Sequence, residues 1–320
     1  MISNETCPEI REISPVALVI HSTVAASIAF AAAVSNGIML IILCKNFRKL
    51  SSTSILVFSL TIADFITGLI CIPLMIFIRL LVPLYAQKGE QLLDPGAQSM
   101  VCCATFFSGL VTYIVSFCIM AAVAVERFLG MLFYRTLHQR VAKRNAKLVA
   151  VALWIYITTW VAGALPQNFN FNPELGCHLS LSFKPLFVLV VQSHYGLCLA
   201  LCVIFYIFIF VTIKKHRNRI NVQIQTNPVI AIAHLNQQKW TVTIFLVVAV
   251  FIATWFPFFI TVNIIKEVNC ILPWKKNVLF SVTELAYLSS LANPWIYTYR
   301  HRCYRNALIK LLQPNKIQPL

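Results

Sequence analysis

Seven apolar runs, each closed by polar or basic residues, set the pattern of this chain. They cover about Pro15–Cys44, Ser52–Leu81, Gln98–Met131, Ala146–Leu165, Pro185–Ile213, Gln237–Lys266 and Asn277–Tyr299. A helix rises ~1.5 Å per residue and bilayer hydrocarbon is ~30 Å thick, so each run predicts a membrane-spanning helix. The third run is the longest. Its about 33 residues give roughly 50 Å, so it must cross tilted as a central strut. Beyond the seventh run, His301–Leu312 sets Tyr304, Leu308, Leu311 and Leu312 on one face and Arg302, Arg305 and Lys310 elsewhere. That pattern predicts an amphipathic helix lying along the inner leaflet. The fold class expected is therefore an all-α membrane protein, a seven-transmembrane helix bundle with a short amphipathic cytoplasmic helix. The expected divisions are 1–14 as an extracellular N-terminus, 15–299 as the bundle, and 300–320 as amphipathic helix and short tail.

Polar residues inside the apolar runs are the candidates for chemistry. Asp64 lies twelve residues into the second run, where a carboxylate is costly unless protonated, paired or bound to a cation. Ser116, three turns before Arg127, should sit at a similar depth and help hold whatever Asp64 holds. Arg127 follows Glu126 and precedes Phe128 near the inner end of the strut, where local pairing with Glu126 is the simplest reading. Asn36 reads as a helix-packing residue. Pro73 and Pro257 should kink their helices, and Pro257 lies two residues after Trp255. His194 and Tyr195 occupy the outer half of the fifth run and Tyr206 the inner half. His194 could serve a ligand or only a neighbouring hydrogen bond.

Composition narrows the class. The chain is 59% hydrophobic and 11% charged, against about 25% charged in soluble domains. Its net charge of +16 could point to nucleic acid, but 19 of the 26 Lys and Arg residues fall in segments that would be cytoplasmic. This is the positive-inside distribution, so the basic face meets anionic membrane lipid and acidic partners, and nucleic acid is not expected as a partner. The first fifteen residues carry Glu5, Glu9 and Glu12 and no apolar core, so no cleavable signal peptide is expected. Asn4-Glu5-Thr6 is a glycosylation sequon in that polar head. Cys177 lies in the outer loop Gln167–Lys184, and pairing with Cys102 or Cys103 would tie the loop to the strut. Cys7 and Cys270 form a weaker exterior pair, and Cys303 a candidate for palmitoylation.

Asn36, Asp64, Cys102, Arg127, Trp154, Trp255 with Pro257, and Asn293-Pro294-Trp295-Ile296-Tyr297 together resemble the signature of rhodopsin-like G-protein-coupled receptors. The resemblance covers nearly the whole chain. It implies a plasma-membrane receptor, exterior at its N-terminus, that activates a heterotrimeric G protein when the sixth span moves. It is not an enzyme and is expected to need no cofactor. Asp64, Ser116, Ser290 and Asn293 would form an interior sodium site, with the ion an allosteric modulator. The coupling and switch residues would be Glu126, Arg127, Phe128, Tyr206, Trp255, Pro257, Asn293, Pro294 and Tyr297. The disulfide would join Cys102 to Cys177. Three departures stand out: Phe128 replaces a tyrosine, Cys198 replaces the proline of the fifth span, and Gln237 stands where some members carry an acid that latches Arg127. The last predicts appreciable basal signalling.

By position, the resemblance lines the ligand pocket with Gly109, Leu110, Tyr113, Val190, His194, Trp255, Phe258, Phe259, Val262, Thr283 and Tyr287. Gly109 stands where aminergic receptors carry an aspartate, so a biogenic amine is not expected. Tyr287 stands where opsins carry their lysine, which argues against retinal. The run Asn293–Arg300 is similar to that of adenosine receptors, whose purine-binding residues fall on Val262 and Tyr287 here. An aromatic, largely uncharged pocket suits a small, weakly polar or lipid-like extracellular ligand. A peptide contacting Arg79, Glu284 and the loop phenylalanines is the alternative within the family. An ion-coupled transporter is the alternative outside it, though no inverted repeat is seen. No zincin, serine-elbow or phosphate-loop spacing favours an enzyme.

Overall fold

The computed structural model of the chain describes residues 13–45, 50–132, 139–173, 176–226, 228–265 and 273–313. Asn4, Cys7 and Cys270 lie outside these residues, and the side chain of Gln237 is likewise outside the description. Seven long helices follow one another, α1 Pro15–Lys45, α2 Ser52–Ala86, α3 Pro95–Leu132, α4 Gln139–Asn168, α5 Pro185–Thr226, α6 Pro228–Ile265 and α7 Pro273–Arg300, and then a short α8, Arg302–Leu312. Six of them are long and apolar enough to cross a membrane. The exception is α7, whose polar residues turn inward, where Thr283, Glu284, Ser289, Ser290 and Asn293 are all buried.

Local signals start these helices where the sequence places them. Ser14 accepts the Ala17 amide at 3.2 Å, Ser51 the Ser54 amide at 3.2 Å, and Asp94 the Ala97 amide at 2.9 Å, each satisfying a donor of a first turn. Pro95 and Pro185 open α3 and α5, where a missing amide costs nothing. Several ends differ from expectation. Pro166 lies inside α4, which runs on to Asn168, because a proline this close to a helix end forfeits a single bond. The helical backbone of α5 reaches Thr226, and α6 already begins at Pro228.

Burial confirms α3 as the strut: 72% of its apolar window is buried, against 22% for α4. The close approach of α1 and α2 rests on Gly68, where a Cβ would come within 2.7 Å of the Ala33 nitrogen and 2.9 Å of the Ala29 oxygen. Small residues on both sides let the backbones touch, which is how apolar helices associate without a hydrophobic driving force between them. α2 is also locally widened. Two π turns, Thr67–Cys71 and Phe77–Leu81, precede Pro73 and Pro83, with Ile72 N–H bonded to Thr67 O and Val82 N–H to Phe77 O.

At one end of the bundle, hereafter the outer end, Cys102 and Cys177 form a disulfide and Cys103 is free. The loop behind it is pinned by an antiparallel bridge between Phe169 and Phe183, with Asn170 N–H to Ser182 O at 2.9 Å. At the inner end α8 docks through Tyr304, which is buried and hydrogen-bonded to Ser54 at 3.2 Å. Leu308 and Leu311 pack with it, whereas Leu312, expected on the same face, is 65% exposed.

Candidate functional site

Three sites lie along the bundle axis. The first is a cavity of about 110 Å³ at the outer end. Gly109, Leu110, Tyr113, Trp255, Phe258, Val262, Thr283 and Tyr287 line it, as expected from sequence. Phe259 does not line it but packs 5.9 Å from Trp255 and 5.5 Å from Tyr195. Val190 and His194 do not line it either. His194 Nδ1 lies 2.8 Å from its own helix's Val190 carbonyl, and the ring packs on Trp160 of α4 at 4.8 Å. Val191 and Tyr195 take their places. With Cys198 where a proline would open the helix, α5 stays α-helical, and its inward face is shifted by one residue.

Cys71, Met75, Phe106 and His178 are not among the lining residues expected from sequence, and Arg79 is expected there only as a contact for a peptide. All five line the cavity. The Arg79 Nη2 lies 3.2 Å from His178 Nδ1, its guanidinium carbon 5.3 Å from the Phe280 ring, and its Nε is buried with no hydrogen-bond partner. Burial holds His178 well below the usual histidine range, with the positive charges of Arg79 and Lys276 adding to the effect. A neutral His178 can therefore accept from Arg79. An arginine in the outer half of an apolar run, and a histidine next to the loop cysteine, were the available signals.

Below the cavity, Trp255 is the hub of an aromatic cluster, 5.1 Å from Tyr113 and 5.3 Å from Phe117. Its indole N–H donates to Ser289 at 3.1 Å. Pro257 lies inside α6 and supplies no amide to the Ala253 carbonyl, leaving a weak point one turn from the hub.

The second site is the polar interior. Asp64, Ser116, Ser290 and Asn293 are all buried, and Asn293 donates to Asp64 at 2.7 Å. Ser290 is a further hydrogen-bonding neighbour of the carboxylate. Ser116 donates to the Thr112 carbonyl at 2.9 Å, which leaves its oxygen lone pairs available. Asn36 donates at 2.9 Å to both Ala32 and Ser290 carbonyls, tying α1 to α7. Among the described residues Asp64 has no cationic partner. A buried carboxylate beside the Ser290 hydroxyl and the Asn293 amide offers oxygen donors of the kind a hard cation such as sodium takes, while no contact joins Ser116 to Asp64 among those described.

The third site is at the inner end. Glu126 grips Arg127 with two hydrogen bonds, to Nε at 2.6 Å and Nη2 at 2.7 Å. It also accepts from Thr53 at 2.9 Å and from Ser52, so the pair is anchored on the first turn of α2. Phe128 packs against Phe205 at 5.4 Å. Tyr206 is buried, close enough to Arg127 and Glu126 to feel their charges, yet its hydroxyl has no hydrogen-bond partner among the described residues. Tyr297 is also buried, and Pro294 lies within α7.

Comparisons with known proteins agree with this geometry. Squid rhodopsin superposes with a TM-score of 0.75 at 14% identity, over 98% of this chain and 90% of that one. Neuropeptide receptor 22 of Caenorhabditis elegans is 23% identical over 85% of this chain and 64% of its own length. The D(2) dopamine receptor B of Xenopus laevis is 39% identical over 25% of this chain and 23% of its own length. The chain thus spans less than two thirds of these curated relatives. A family model described as 7 transmembrane receptor (rhodopsin family) matches residues 35–297, most of the chain. The chain belongs to the rhodopsin family of seven-transmembrane receptors, the G-protein-coupled class.

Proposed function

We propose that this receptor sits in the plasma membrane with its N-terminus outside, Asn4 glycosylated, and binds a small, largely apolar ligand in the outer cavity. The observation that carries this is the position of Trp255, which lines the cavity and is also the hub of the cluster beside Pro257. A ligand acts by binding one arrangement of this cluster better than the other, and it shifts the equilibrium only by that difference. In the second arrangement α6 swings out, Arg127 leaves Glu126, and the unpaired Tyr206 hydroxyl gains a partner. The opened inner face admits a heterotrimeric G protein. Sodium held by Asp64, Ser116, Ser290 and Asn293 would neutralise the carboxylate and favour the resting arrangement.

The deciding measurement is nucleotide exchange on a panel of G proteins, in membranes carrying wild type or Arg127→Ala at matched surface expression. Exchange by the wild type that is lost in the mutant supports the mechanism. Silence of the wild type without ligand removes the expectation of basal signalling. Exchange that survives in Arg127→Ala overturns the role given to Arg127.

A peptide terminus entering the same cavity is the second reading, favoured by the extent of the match to the neuropeptide receptor. Glu284, expected to contact such a peptide, is instead paired with His21 at 2.8 Å. A biogenic amine is disfavoured because no carboxylate lines the cavity among the described residues to pair its ammonium.

A further inference from the structure

We infer that the outer cavity takes an organic anion, a small apolar body carrying a carboxylate that pairs with the Arg79 guanidinium. This rests on the cavity being the ligand site. Among the described residues Arg79 has one hydrogen-bonding neighbour, the Nδ1 of His178 at 3.2 Å, and a ring contact to Phe280. Its Nε is buried and without a hydrogen-bond partner among the described residues. No Asp or Glu lines the cavity among the described residues, and the single acid of α7, Glu284, is engaged with His21 at 2.8 Å. A half-buried guanidinium with its Nε shut off from water and no counter-ion among the described residues is costly, so a site of this kind gains most from a ligand that brings the missing charge. The planar fork matches a carboxylate and offers two parallel hydrogen bonds.

The remaining lining fixes the other end of the ligand. Phe106, Leu110, Phe258 and Val262 offer apolar surface and no charge. The cavity of about 110 Å³ has room for roughly seven to eleven water-sized atoms at ~10–15 Å³ each. Octanoate and 3-phenylpropanoate have this size and charge, and they represent a medium-chain fatty acid and an arylalkanoic acid. Two amphiphile sources therefore share one chemistry.

Local geometry explains how an arginine came to face this cavity. Cys71, Met75 and Arg79 recur every fourth residue and all line it. On a regular helix of 3.6 residues per turn, such a series drifts about 80° from first to last. The π turns Thr67–Cys71 and Phe77–Leu81 widen this stretch of α2 toward about four residues per turn, which keeps the series on one face.

The test uses purified full-length receptor in lipid nanodiscs. Dissociation constants are taken from the concentration dependence of the melting temperature, for octanoate against octanamide and 3-phenylpropanoate against 3-phenylpropanamide. At least one acid should bind the wild type about 10- to 100-fold tighter than its amide. Arg79→Gln should bring that ratio to about one while leaving amide binding intact, and Arg79→Lys should retain part of it. Equal binding of acid and amide by the wild type overturns the inference, as does no stabilisation by any of the four compounds at millimolar concentration. Either result needs only the wild type, so misfolding of a variant does not shield the idea. G-protein nucleotide exchange in the same discs separates this inference from the signalling role. Acid binding without exchange on any G protein leaves the anion site standing and counts against signalling. Exchange driven by an amide alone keeps signalling and overturns the anion site.

Discussion

Two arginines divide the molecule. Arg127, at the inner end, is held by both oxygens of Glu126, which is itself anchored on α2. Arg79, at the outer end, has a neutral histidine and an aromatic ring for company and an unbonded Nε. Both lie in apolar surroundings, where leaving a charge unpaired is costly. The difference underlies the separate roles proposed for them. A cation already paired by its own chain can act as a closed latch, whereas one without a counter-ion among the described residues can take up an anion that arrives. On the roles proposed above, the same side chain would serve stability at one end and recognition at the other.

The largest effect expected comes from abolishing that contrast at the inner end. Glu126→Gln leaves Arg127 without its counter-ion and should cost the resting state about 3–5 kcal/mol. Unliganded nucleotide exchange should rise and the melting temperature fall; unchanged values for both would show that the pair is no latch. Tyr206→Phe works in the opposite direction. It deletes a buried hydroxyl without a partner, a group that costs about 1–3 kcal/mol to bury unsatisfied. The mutant should melt higher and couple less when activated, whereas a lower melting temperature would mean that the hydroxyl is already bonded.

A pH titration sharpens the outer side. His178 is held neutral, with its folded pKa below the unfolded value. Below about pH 6.5 the unfolded chain therefore binds a proton that the folded chain refuses, so stability falls with falling pH, by about 1.4 kcal/mol between pH 7.5 and 5.5. His178→Gln should remove that share of the acid sensitivity, as read from melting temperatures at pH 7.5 and 5.5. The smallest effect belongs to a bond remote from both arginines. Trp154 donates to Ser59 at 2.9 Å between α4 and α2, and Trp154→Phe should lower stability by about 0.5–1.5 kcal/mol without changing exchange.

Most of the bundle could be read from hydrophobic runs, because a bilayer admits few alternatives to a helix. The polar positions Asp64, Arg127, Trp255 and Asn293 could be read as well, since each is expensive or unusual in an apolar run. What escaped was rotation about the helix axis. Val190 and His194 were placed in the cavity on the geometry of a proline-bearing span, but Cys198 leaves α5 regular and brings Val191 and Tyr195 inward. Arg79, expected only as a contact for a peptide, lines the cavity itself because the π turns of α2 change its period locally. A shift of one residue turns a side chain by about 100°, and no pattern of hydrophobicity in an almost wholly apolar segment records it.

The contact at Gly68 has a practical corollary. Because backbone meets backbone there, the spacing of α1 and α2 is set by covalent geometry and not by adjustable side chains. It should hold whichever arrangement the rest of the bundle adopts. A pair of spectroscopic labels across these two helices would then serve as an internal length standard, against which a second pair spanning α2 and α6 could be calibrated as the receptor works.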